Sequence, residues 1–245
     1  MTENQVKQNR YVAYFDMLGF KTATLKSPAE VWMALKSLRE CMDDILNLEV
    51  EITSKKVVLK KSIKAFILAD SVLIFTYNDD LYDLSAILIL TSELFARTLH
   101  KWVPLRGAIT HGEFFYNLNL NLFGGIPFVR AHELERKAQW SGVVIDDVVL
   151  EHYKKWQSDM PKCGNGSSII VPWNIPLKDN KKEHGLCLDW VTPHKRNFTV
   201  QPPISVSDYY SGFRKLFGDF EQLAPEVKTK YQNTVDFVNH FLSKD

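Results

Sequence analysis

The chain has 245 residues, 45% of them apolar and 12% aromatic, which is enough for a packed core and excludes disorder. With 30 Lys and Arg against 29 Asp and Glu the net charge is +1, so there is no basic field with which to coat a nucleic acid. Three widely spaced cysteines without a CxxC pair, a polar N-terminus without the apolar region of a secretory signal, and no apolar run long enough to span a bilayer point to a cytoplasmic protein with neither nucleic-acid nor membrane partners.

In chain order, Tyr11 to Met17 reads as a short buried strand that stops at Leu18-Gly19-Phe20, where glycine permits a tight turn. Pro28 opens a helical pattern whose apolar positions Val31, Leu35, Leu38, Met42 and Ile45 recur at three and four residues. The stretch 57–77 is rich in Val, Ile and Phe and is broken at Ala69-Asp70-Ser71, which predicts two strands joined by a tight turn with Asp70 at its tip. Residues 81–99 return to helical spacing, 103–115 form a strand candidate, and 122–127 read as a loop through Gly124-Gly125. Residues 129–139 are a helix by propensity, 143–145 a strand, and Asp146 the cap of the next helix. The stretch 160–182, with its Pro, Gly, Asn and Lys, reads as loop or insertion, and 209–220 and 225–242 as helices. This order predicts an α+β fold, a ferredoxin-like sheet with helices packed on it. Residues 8–155 are expected to form the main domain and 156–245 a C-terminal loop and helical extension packed on it.

Asp16 and Asp70 are the candidates for chemistry. Each stands where an apolar strand ends, and an ionised carboxylate there is costly unless something pairs with it. Turn aspartates are common, so either one alone reads equally well as a cap. Together, two carboxylates and phosphate oxygens make a hard-oxygen site for magnesium or manganese, and Gly19 lets backbone amides approach phosphate.

The ordered motifs Phe15-Asp16-Met17-Leu18-Gly19-Phe20, Ala69-Asp70-Ser71-Val72, Leu105-Arg106-Gly107-Ala108-Ile109-Thr110-His111-Gly112, Ala131-His132-Glu133-Leu134-Glu135-Arg136-Lys137-Ala138 and Gly142-Val143-Val144-Ile145 resemble those of the class III nucleotidyl cyclases. The resemblance implies two Mn2+ or Mg2+ ions held by Asp16, Asp70 and the Met17 carbonyl. It also implies a triphosphate cradled by the amides of Leu18, Gly19 and Phe20, and a homodimer with active sites at its interface.

The departures from that family are specific. Phe66 stands at the place of the base-reading lysine, Phe123 near the second base-reading residue, Val129 at the ribose-binding asparagine and Glu133 at the transition-state arginine. Arg130, on the same helix, is the chosen substitute for that arginine. Aromatic filling at Phe66 and Phe123 suits a pyrimidine better than a purine. In this respect the chain resembles the bacterial pyrimidine cyclases of antiphage defence, whose cyclic product is an alarm signal read by a separate effector. UTP is the favoured substrate. CTP, and a non-catalytic cyclase-like nucleotide-binding module, are the alternatives.

Overall fold

The computed structural model describes residues 7–163, 166–197 and 203–243. The chain begins with β1 (Gln8–Met17), the short helix α1 (Phe20–Lys26) and the long helix α2 (Pro28–Leu46), with Pro28 in its first turn as expected. A small separate hairpin follows, β2 (Glu49–Ile52) and β3 (Lys55–Val58). Next come β4 (Ile63–Leu68) and β5 (Ser71–Thr76), α3 (Leu81–His100), β6 (Leu105–Asn117), β7 (Leu122–Gly125) and α4 (Ile126–Lys137). The remainder is β8 (Val143–Ile145), α5 (Asp147–Lys155), β9 (Ile170–Pro176), β10 (Lys182–Leu188), the one-turn helices α6 (Val206–Tyr210) and α7 (Arg214–Phe217), and α8 (Pro225–Leu242).

The main sheet runs β4-β5-β1-β6-β8-β10-β9, with β7 paired to the far end of β6. Among the described residues only the β6–β8 pair is parallel; the other neighbours are antiparallel. This is the α+β fold expected, with three differences in detail. The stretch 57–77 gives its first residues to the β2–β3 hairpin, so two strands become three. The stretch 122–127, read as a loop, is a short strand that turns directly into α4. Gly125 makes that turn at φ 139, where a Cβ would lie 2.4 Å from the Glu113 carbonyl oxygen. The stretch read as an insertion contains β9, which with β10 extends the same sheet.

Strand alternation sends β1 to two environments. Phe15 faces the side covered by α3, its ring 5.6 Å from Phe95. Farther along that side α3 meets α8 through buried Trp190, 5.9 Å from Phe95 and 6.2 Å from Phe237. Tyr14 faces the opposite side, where α4 crosses the sheet, its ring 5.6 Å from Phe128 and 5.3 Å from His132. Asp16 shares that second side. A separate aromatic cluster of Phe75, Phe114 and Tyr116, with Phe66, Phe123 and Phe128 against it, covers the rest of it.

Candidate active site

Asp16 is the penultimate residue of β1, opposite Ser71 on β5 and opposite Arg106 on β6. Asp70 is in the two-residue turn between β4 and β5, beside Ala69, which adopts a left-handed φ of 57°. The amide of Met17 donates to the Asp70 carbonyl at 2.9 Å, so backbone bonding ties the two aspartates together. Tyr14 and Ser71 meet through their hydroxyls at 2.6 Å just below them.

The charges around the pair are unequal. Arg106 Nη2 donates to Asp16 Oδ2 at 3.2 Å, while its Nε is paired with Oε1 of Glu135 on α4 and its Nη1 reaches the Ala138 carbonyl at 3.4 Å. The Glu135 side chain is 1% exposed. Burial pushes its carboxyl up to about 7, against the pull of Arg106. Burial also raises Asp16, partly offset by Arg106 and reinforced by the neighbouring charge of Asp70. Among the described residues the Asp70 carboxylate has no hydrogen-bond or ion-pair partner.

This donor set fits a divalent cation of a particular kind. Among the described residues no three His, Cys, Asp or Glu side chains are grouped to cage a metal. Two adjacent carboxylates, one of them unpartnered, fit an ion that completes its shell with backbone and phosphate oxygens, as magnesium and manganese do on nucleotide substrates.

Of the three amides expected to cradle phosphate, one is already engaged within the fold. The Leu18 amide is already donated to the Pro104 carbonyl at 2.9 Å, so it is removed from the cradle. Gly19 and Phe20 open α1, where first-turn amides have no intrahelical acceptor. Gly19 has φ 76 and a Cβ there would lie 2.8 Å from Phe217, so no other residue fits without strain.

Phe66 and Phe123 are brought together from distant strands. Their ring centroids are 4.8 Å apart, and both pack on Phe75. Phe66 lies opposite Leu73, which lies opposite Tyr14, so the rings share the sheet face of Asp16 one row away. Arg130 is not brought to the aspartates of its own chain. Its Nη2 donates to buried Asp146 Oδ1 at 2.7 Å, at the mouth of α5. Val129 and Glu133 are exposed on α4.

Beside the site, His132, Glu133, Arg136, Lys137, Lys178 and Lys181 line an open cavity of about 590 Å³ between α4 and the β9–β10 turn. Its connection to the aspartates is His132, which also packs on Tyr14. Sequence reasoning assigned no role to Arg106, Glu135 or the lysines of this turn. The usable signal was a lone arginine within an apolar strand and a glutamate spaced four residues from Ala131 on the buried face of a helix.

No protein-family model matches the chain, and no curated protein matches it. Solved structures do. The catalytic core of a rhodopsin-guanylyl cyclase with converted specificity, in complex with ATPalphaS, superposes with a TM-score of 0.53 at 13% identity, over 75% of this chain and 97% of that one. The fold is that of a class III nucleotidyl cyclase catalytic domain. The adenylyl cyclase CyaB from P. aeruginosa gives a TM-score of 0.51 at 15% identity, over 75% and 95% of the two chains. A bacterial light-regulated adenylyl cyclase gives 0.53 at 10%, over 88% of this chain and 58% of that one. No helix among the described residues is long and apolar enough to cross a membrane.

Proposed function

We propose that the protein is a metal-dependent nucleotidyl cyclase that converts a pyrimidine nucleoside triphosphate, UTP in preference to CTP, to its 3′,5′-cyclic monophosphate and pyrophosphate. The observation that carries the reading is the pair Asp16 and Asp70 at adjacent strand ends of a cyclase fold, with the Asp70 carboxylate left without a partner among the described residues.

Asp16, Asp70 and the Met17 carbonyl would hold two Mn2+ or Mg2+ ions. When bound, such ions supply charge neutralisation on the phosphates and acidify the ribose 3′-hydroxyl. The protein's own contribution is positional. The amides of Gly19 and Phe20 meet the phosphate chain at the start of α1. The cations Arg136, Lys137, Lys178 and Lys181 line a groove able to take phosphate charge. The contact between Phe66 and Phe123 fills the sheet face where a base would lie, which favours the smaller ring.

Arg130 serves a nucleotide held by the aspartates of a second copy, in a homodimer built on the α4 face. Exposed Ile126 and Val129 on α4, with Leu122 on β7, give that face its apolar character. The cyclic product would act as a second messenger in antiviral defence, read by a separate effector; the support for this role is the resemblance of the sequence motifs.

The test is incubation of the purified protein with each of the four ribonucleoside triphosphates and manganese, with products identified by mass spectrometry. Cyclic UMP is the expected main product, and Asp16→Ala or Asp70→Ala should lower its rate at least a thousandfold, about 4 kcal/mol of barrier. A folded protein that yields no cyclic nucleotide removes the reading. A second reading, a nucleotide-binding module without turnover, is favoured by Glu133 and by the engagement of Arg130 with Asp146. Tight UTP binding without product would select it.

A further inference from the structure

We propose that Glu135 is a positioning residue for the cation site: it draws the charge of Arg106 away from Asp16 and so keeps Asp16 open to a divalent ion. The inference rests on the reading of Asp16 and Asp70 as a cation-binding pair.

Arg106 lies directly across from Asp16 in the β1–β6 register. An arginine facing a carboxylate ordinarily closes on it with two parallel bonds of about 2.7–2.9 Å, occupying both oxygens. Here the guanidinium is divided among three partners, two of them hydrogen-bond acceptors and the third, Glu135, an ion-pair partner. Nε belongs to Glu135 and Nη1 leans towards the Ala138 carbonyl. Asp16 receives one bond of 3.2 Å, on Oδ2 only. Among the described residues nothing pairs with Oδ1 of Asp16 or with the carboxylate of Asp70.

The position of Glu135 is hard to explain otherwise. Its side chain is 1% exposed on the sheet side of α4, a place where an apolar residue would pack at no electrostatic cost. From there its anion contacts the guanidinium at Nε and offsets part of the charge that Arg106 presents to Asp16. Without it, Arg106 would be free to pair fully with Asp16 and compete with any cation. Groups that orient and tune a metal ligand in this way commonly change metal affinity by about 10–100-fold.

The test is Mn2+ binding to the nucleotide-free protein at pH 8, with free Mn2+ counted by electron paramagnetic resonance. Glu135→Gln keeps the shape and removes the charge. Its Kd for Mn2+ should rise about tenfold, with Asp16→Ala as the control that defines the site. The double variant Arg106→Gln with Glu135→Gln removes the competitor as well, and should bind Mn2+ at least as tightly as the wild type. A purely structural ion pair would not produce that recovery. Wild-type affinity in Glu135→Gln, or a double variant as weak as the single, overturns the inference while leaving the cation pair intact. If the wild type binds no more Mn2+ than Asp16→Ala, the cation pair falls and the inference with it.

Discussion

Phe66 and Phe123 are the residues on which the proposed choice of base turns. Their rings meet at 4.8 Å and are held from below by Phe75, so the space they occupy is fixed by packing and not by a mobile surface chain. Neither is fully buried, and Phe123→Ala should cost about 1–3 kcal/mol of stability and leave the fold in place. It should also widen the floor beside Phe66. The expected outcome in a mixed-substrate assay is a shift of kcat/KM towards purine triphosphates by about tenfold relative to UTP, the size of effect one apolar contact can exert. An unchanged ratio would move base selection elsewhere. Arg130 illustrates the limit of reading a residue from its position. Its place on a helix was legible, but its partner Asp146 is 16 residues away in sequence and is set by how α4 lies over β8.

At the scale of elements, the start of α3 stores an acid-sensitive contact. Asp80 caps the helix through the amides of Tyr82 and Asp83, and Asp83 is buried against it. Burial, reinforced by the Asp80 charge, raises the Asp83 carboxyl to about 7. A carboxyl raised on folding binds a proton more tightly in the native state, so this group's contribution to stability is full below about pH 4 and is lost as pH rises to about 7. Asp83→Asn should flatten that fall, visible as a higher Tm than the wild type at pH 8 and little difference at pH 5. Asp80→Ala should cost about 1 kcal/mol, a drop in Tm of roughly 2–4 °C. Which elements the sequence made legible follows the strength of local signals. β1, α2, α8 and the turn at Asp70 announce themselves by apolar runs, helical spacing and a turn triplet. β9 did not, because Pro172 and Pro176 break the strand pattern; the structure places it at the sheet edge, where missing N–H groups cost least. The region of α6 and α7 was read as one helix, but Gly218 ends it and 3₁₀ turns divide it.

For the whole molecule, the proposed dimer is the property most open to a direct check. Val129 is 56% exposed on α4, so Val129→Arg should leave the Tm within about 1–2 °C of wild type. Sedimentation should then report a monomer, and turnover should vanish with the dimer; a variant that still sediments as a dimer would place the interface on another face. The sheet itself separates the two aspartates in a further sense. β1 is paired with β6 along its whole length and with β5 from Val12 to Asp16. Its amides belong to the part of a protein that exchanges hydrogen only on global opening. Asp70 sits at the tip of a hairpin whose outer strand, β4, is an edge. One carboxylate is thus mounted on the slowest clock in the molecule and the other on a tip free to breathe, with the Met17 amide as the stitch between them.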